Sequence, residues 1–243
     1  MTMPTTRQMA EAVWATWPGE AAIPGGAFDL RRSSDDSRRS RAATSNRTAT
    51  DAEIAEAADT MQSWGQPAMF WVPGDAPAFE AQLDGLGYAG HDSSYYYGAP
   101  VGPMAERVPP RIATFEIWEP LAIMADIFTA TGTSLSRQEV MARAQCPKTA
   151  ILGRVGDDPA GVTYVGAHEG IAMVHAVGVL PQHRRQGLAA HMMAQAAIWA
   201  ERNGCAWVGL AVGAENHGAR ALYASLGMAP VGSYQYRSLP EPS

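Results

Sequence analysis

The pattern of apolar and polar positions is most regular in the second half of the chain. Residues 112–118 read as a strand and 121–129 as an apolar helix. Ser136-Arg137-Gln138-Glu139 has the spacing of a capping box, with Ser136 accepting from the backbone and Glu139 reaching back, and predicts the start of a second helix. TAILGRV, GVTYVGA and IAMVHAVGV follow as β-type runs separated by the turn sequences GDDPA and HEG, which predicts an antiparallel meander. After a small-residue helix comes CAWVGLAV, a short apolar strand. GARALYASLG puts Ala219, Leu222, Tyr223 and Leu226 on one helical face, with Gly227 as its stop. GSYQYRSL is a last strand.

The first half carries a fainter version of this pattern. Residues 67–101 align with 207–236 when Leu86-Gly87-Tyr88 is set on Leu226-Gly227-Met228. Both read as a strand, a helix ending in Leu-Gly and an aromatic-rich strand, so an internal repeat is expected. GAPVGPMAERVPPR, residues 98–111, has no periodicity and reads as a linker. The expected organisation is two α/β (α+β) domains, 1–104 and 105–243, each a mixed, mostly antiparallel sheet flanked by helices.

Composition narrows the function classes. A hydrophobic fraction of 47% and a charged fraction of 17% in 243 residues supply a large core and argue against disorder. A net charge of −6 argues against a nucleic-acid binder, which needs a basic face. No apolar run approaches a membrane span, and Glu11 stands where a signal peptide would be apolar. Cys146 and Cys205 have no metal-ligand spacing and suggest no disulfide framework, so no metal is expected and a reducing cytoplasm is the expected compartment. Six arginines fall between residues 31 and 47. Their charge pattern reads as a solvated hairpin with Asp35 and Asp36 at its turn, a phosphate patch being the alternative. Tyr95, Tyr96 and Tyr97 read as strand core or, alternatively, as a pocket wall.

The chemistry concentrates at VLPQHRRQGLAA, where a strand turns into a helix. A helix N-terminus has unpaired N–H groups and a partial positive charge, and successive N–H groups in a turn act in the same way. Gly187 lets the backbone approach a ligand, Ala189 and Ala190 keep the first turn uncrowded, and Arg184 and Arg185 add charge-assisted donors. The stretch therefore reads as a pyrophosphate cradle, and it lacks the further glycines of dinucleotide and P-loop motifs.

Arg184-Arg185-Gln186-Gly187-Leu188-Ala189 resembles the Gln/Arg-x-x-Gly-x-Gly/Ala signature of the GNAT superfamily of acyl-CoA-dependent N-acyltransferases. Val177-Gly178-Val179-Leu180-Pro181 resembles the strand before that loop, and Asn216 with the helix ending at Gly227-Met228 resembles the family's second block. The resemblance covers about 111–243. It implies a tandem GNAT fold with an intact second copy. It also implies that the strand 177–179 pairs with the pantetheine arm of acetyl-CoA, that 184–189 hold the pyrophosphate, and that the flanking strands splay around the thioester. Tyr223 would protonate the departing thiolate, and Asn216 would contact the cofactor or cap its helix.

The acceptor amine needs a base. An alkylamine of pKa about 10.4 is free in only about one molecule in ~2,500 at pH 7. His175 is the candidate, since strand alternation puts it on one face with Val177 and Val179. Arylalkylamine acetyltransferases, in the same superfamily, carry a histidine at the matching position, and their second histidine falls at Met173 here. His183 is expected toward solvent or phosphate. His168 and Glu169 are expected in an exposed hairpin turn, from which Glu169 could act through water.

In the first half, Leu83 aligns with Tyr223 and Ala76 with Asn216, and Arg47-Thr48-Ala49-Thr50 contains no glycine loop. That half is expected to be a degenerate copy without a CoA site, packed on the active one. The resulting expectation is an N-acetyltransferase acting on a primary amine of a small molecule or amino acid derivative, without nucleic-acid or membrane partners. A non-catalytic acyl-CoA-binding module and a tandem aminoacyl-transferase using charged tRNA are the rivals; the second would need a basic face and no CoA loop.

Overall fold

The computed structural model describes residues 2–240. Thr5 and Gln8 form a capping box that starts α1 (Thr6–Thr16). Three short strands follow, β1 (Ala21–Ile23), β2 (Phe28–Arg32) and β3 (Ala43–Ser45), with a single helical turn, α2 (Arg38–Arg41), before the third. Then come α3 (Asp51–Ser63), β4 (Met69–Pro73), α4 (Pro77–Gly85), β5 (Ala89–Pro100) and α5 (Val101–Ala105). The second half opens with β6 (Thr114–Ile117), α6 (Ala122–Ala130) and α7 (Leu135–Arg143). The meander β7 (Lys148–Val155), β8 (Asp158–His168) and β9 (Ile171–Val179) is as expected. It is followed by α8 (Leu188–Arg202), β10 (Trp207–Gly213), α9 (His217–Ser225) and β11 (Ala229–Ser238).

These strands form one eleven-stranded sheet in the order β1-β2-β3-β4-β11-β5-β10-β9-β8-β7-β6. All pairings are antiparallel except β3–β4 and β9–β10, which α3 and α8 connect as crossovers. The repeat is visible in three dimensions. α4 and α9 end alike: Gly87 and Gly227 have φ of 86° and 87°, and the next N–H returns to Leu83 and to Tyr223 respectively. The halves exchange their last strands. β5 pairs with β10, β11 pairs with β4, and β5 and β11 pair with each other at the centre of the sheet.

Helices cover both faces. On one face α1, α6 and α7 pack through Met9, Val13, Phe128 and Met141 on β8, β9 and β10. There Gly209 leaves room for α1, because a Cβ would lie 2.6 Å from Met9 Cε. On the other face α8 buries Leu188, Met192 and Trp199 beside α5 and α9, while α3 and α4 cover the first half. β4 alternates between the two, Met69 and Trp71 toward α1, Phe70 and Val72 toward α3 and α4.

Three local expectations are corrected. α7 is capped by Ser134, whose hydroxyl accepts from Arg137 N; Ser136 lies inside the helix and turns to Asp36 instead. The expected linker begins as ordered structure: β5 runs to Pro100, and Val101, Met104 and Ala105 of α5 are buried with α8. The arginine-rich stretch is not a solvated hairpin. Asp35 is 1% exposed and accepts from Ser33 Oγ, Ser37 N and Ser40 Oγ, so three serines and a carboxylate fold the loop inward. Asp36 does face solvent, paired with Arg137 at 2.9 Å.

Candidate active site

The site begins at an irregularity in β9. Ala176 has φ of 51°, and the β8–β9 register shifts between Val162↔Gly178 and Tyr164↔His175. This bulge inserts one residue and reverses the alternation beyond it. Val177 and Val179 therefore pack toward α8, with Ala172 and Val174. His175 turns to the opposite face, where its ring lies 5.0 Å from Trp17 and 5.8 Å from Tyr164. The expectation that His175 shares a face with Val177 and Val179 fails for this reason; a regular period of two cannot register an inserted residue.

The bulge also opens the sheet. β10 pairs with β9 only from Trp207↔Ile171 to Leu210↔Val174, although β9 continues to Val179 and β10 to Gly213. Beyond that point the strands part. A groove of about 790 Å³ runs from this gap past Val177, Gly178 and Val179 to Arg184, Arg185 and Gly187, with Tyr223 at its inner end. Arg185 has φ of 65° and Gly187 φ of 82°, so the loop turns its N–H groups one after another before α8. Gly187 is the N-cap residue and no side chain caps the helix. A Cβ there would meet only His191, at 4.0 Å, so glycine is required by conformation and leaves the space above it open. Arg184 Nε donates to Val179 O at 3.0 Å, tying the loop to the strand end.

The corresponding end of α3 is closed. Thr50 Oγ1 accepts from Glu53 N, and Glu53 Oε2 accepts from Thr50 N at 2.8 Å, which fills the anion position with the chain's own carboxylate.

A second cavity, of about 690 Å³, lies on the other side of the gap. Its walls include His175, Ala211 and Tyr234 from the second half, and Trp17, Arg39 and Ser94 from the first. The two cavities share Val177, Asn216 and Tyr223. Asn216 Oδ1 caps α9 by accepting from Ala219 N at 3.1 Å. Tyr223 is buried, 6.3 Å from Tyr97, and burial pushes its phenol up to about 12, partly offset by Arg39. Burial also pushes the His175 imidazole well below its ordinary value, with the charge of Arg39 acting in the same direction. Thr16 Oγ1 donates to Ala12 O at 2.6 Å and lies 2.8 Å from His175 Nε2. The hydroxyl proton is therefore committed, Nε2 carries the imidazole proton, and Nδ1 keeps its lone pair. Nδ1 is buried and has no hydrogen-bond partner among the described residues.

Residues 121–228 match the sequence model of the Acetyltransferase (GNAT) family. They form a GNAT domain. The chain is accordingly an acyltransferase. Over its whole length it is similar in fold to a GCN5-related N-acetyltransferase from Kribbella flavida, with a TM-score of 0.74 at 20% identity, covering 99% of this chain and 98% of that one. A tandem GNAT protein from the clavulanic acid biosynthesis pathway gives a TM-score of 0.63 at 14% identity, covering 97% and 89%. A functionally unknown conserved protein from Staphylococcus epidermidis gives 0.66 at 12%, covering 89% and 92%. No curated relative matches the sequence.

Within the GNAT domain the expected residues separate into groups. Val177, Gly178, Val179, Arg184, Arg185, Gly187, Leu188, Ala189, Asn216 and Tyr223 line the groove, as does His183. Gln186 does not; it lines a smaller cavity with Pro110, Arg154 and His191. His175 lies across the gap, in the second cavity. Glu169 is exposed in the β8–β9 turn with φ of 44°, and His168 is half-buried beside it. Tyr96 stacks on Tyr234 at 4.7 Å, and Tyr95 supports Arg220, whose guanidinium is 4.7 Å from the ring. Sequence reasoning missed Arg39 altogether. Its only signal was membership of an arginine cluster, which is more often a solvated face. Among the described residues no group of His, Cys, Asp and Glu is arranged to hold a metal, and no helix is long and apolar enough to cross a membrane.

Proposed function

We propose that the chain transfers an acetyl group from acetyl-CoA to a primary amine of a small molecule or amino acid derivative, by direct attack of the amine. The observation that carries this reading is the meeting of two cavities at Val177, Asn216 and Tyr223. Direct transfer needs a donor and an acceptor held on opposite sides of one reacting centre.

The groove fits an acyl-CoA in three ways. Its loop and the uncapped start of α8 present N–H groups for a pyrophosphate. The edge of β9 from Val177 to Val179, beyond its last β10 pairing, suits an extended pantetheine arm. The gap itself leaves space for a thioester, which supplies an electrophilic carbonyl and a thiolate leaving group. On this reading 105–243 carries the cofactor-binding machinery and 1–104 is a degenerate copy, its α3 end closed by Glu53, that supplies part of the acceptor wall.

Tyr223 and His175 then take complementary parts. A phenol near 12 stays protonated at neutral pH. Full transfer to an alkylthiolate of pKa about 8.5 would be uphill by about 5 kcal/mol, so Tyr223 stabilises the departing sulfur by donating a hydrogen bond. His175 is neutral throughout the working range; an imidazole held this low is a weak base, so Nδ1 assists by accepting a hydrogen bond from the attacking amine rather than by taking up its proton outright.

Calorimetric titration with acetyl-CoA, followed by a thiol-release assay over an amine library, tests the proposal. Saturable binding and amine-dependent thiol release are expected. Absence of binding by any acyl-CoA refutes it, whereas binding without release over the library would favour the non-catalytic alternative.

A further inference from the structure

Arg39 is the charged group of the second cavity that has no carboxylate partner. The other cations there are paired, Arg38 with Asp92 at 2.7 Å and Arg137 with Asp36 at 2.9 Å. Glu215 is open to solvent at the rim and approaches His217. Among the described residues Arg39 has no carboxylate within ion-pair distance; its Nη2 donates to Ala211 O at 3.2 Å, and the Tyr234 hydroxyl is a further neutral partner of the guanidinium. Ala211 is the first residue of β10 beyond its last pairing with β9, so the guanidinium is tied to the strand where the gap opens.

The surroundings hold Arg39 there as a cation. Asp35 and its three serines fix the loop that carries it. Burial works against the charge, yet the phenols of Tyr234 and Tyr236 more than offset this and raise its pKa. Its field lowers the pKa of both His175 and Tyr223, so Arg39 reaches the two groups that flank the reacting centre. An alkylammonium entering alone would meet this charge with nothing to balance it. A guanidinium that has only neutral partners is instead matched by a carboxylate, through charge-assisted hydrogen bonds.

We propose that the acceptor is an amine bearing a carboxylate close to its nitrogen, as in an α-amino acid, and that Arg39 is the residue that binds this carboxylate. The proposal rests on the acyltransfer reading and names its substrate class. Arg39 thereby sets specificity, and the first half of the chain contributes a substrate-binding residue to the GNAT domain of the second.

The test compares L-leucine, L-phenylalanine and L-glutamate with their α-carboxamides and with the amines that lack the α-carboxylate, using the full chain and acetyl-CoA. The parent is expected to favour the carboxylates by at least about tenfold in kcat/KM. Arg39→Gln should lose about ten- to a hundredfold on the carboxylates alone, with KM for acetyl-CoA unchanged, and Arg39→Lys should retain part of the preference. Equal loss on all acceptors, or a parent that prefers the neutral compounds, overturns the proposal. Binding of N-acetyl-L-amino acids and their amides to CoA-saturated protein gives a second readout that needs no turnover. Carboxylate-selective binding lost in Arg39→Gln supports the anchor, and its absence in the parent overturns it. If acetyl-CoA does not bind, the acyltransfer reading fails, and the same titration on protein without CoA still decides for or against the carboxylate anchor.

Discussion

His175 makes acid stability a sharp test of the site. Its imidazole is 2% exposed, its Nε2–H is bound to Thr16, and a second proton, added at Nδ1, would find no acceptor among the described residues. The folded state resists protonation, while the unfolded chain takes it up near the ordinary value of about 6.5. With the folded pKa depressed, the unfolded state binds more protons below 6.5, so stability is full above that pH and falls as the pH drops. At pH 5.5 this one group costs up to about 1 kcal/mol, the limit reached when the folded imidazole takes up no proton there. His175→Gln keeps a donor for Thr16 and removes the titration. Urea unfolding of parent and variant at pH 7.5 and 5.5 should show the parent losing about 1 kcal/mol more than the variant over that interval, which thermal unfolding would read as a Tm difference of roughly 2–4 °C. Other titrating groups are common to both proteins and cancel. An equal acid loss in parent and variant would refute the buried, neutral histidine and with it the assignment of Nδ1 as the open acceptor.

Further expectations concern neighbouring residues. Tyr223→Phe should lower kcat about ten- to a hundredfold with little change in acetyl-CoA affinity, as read by steady-state kinetics and calorimetry; an unchanged kcat removes Tyr223 from the chemistry. His175→Gln should depress kcat at pH 7 and approach the parent as the pH rises toward about 10.4, where the amine is free without help, whereas a loss independent of pH argues against a part in deprotonating the amine. Gly187→Ala forces a side chain into φ of 82° at a cost of about 1–2 kcal/mol and should weaken acetyl-CoA binding measured by calorimetry. Asp35→Ala strips three donors of a buried acceptor, and a destabilisation of about 3 kcal/mol is expected in urea unfolding, with a raised acceptor KM because the loop bearing Arg39 loses its anchor.

Much of this protein is set by local sequence. The meander, the crossover helix and the Leu-Gly helix ends follow from period, turn residues and capping, which act over a few positions. The left-handed turn at Gly187 and the helix start without a side-chain cap were readable because a short motif fixes them. At α3 the missing glycine loop was readable from residues 47–50, whereas the Thr50–Glu53 capping box was seen only in the structure. Three features were decided only by tertiary structure. A single inserted residue at Ala176 moved Val177 and Val179 to the face opposite His175, and nothing in the alternation marks it, because Val, His and Ala are all acceptable on either side of a doubly covered strand. The exchange of β5 and β11 is equally silent, since each strand satisfies its hydrogen bonds with either half and the composition of the linker does not distinguish the two. Arg39 reached the second cavity because Asp35, buried among serines, folds an arginine-rich loop inward against Tyr234 and Tyr236. Those contacts join residues almost two hundred positions apart, a separation that local patterning cannot span.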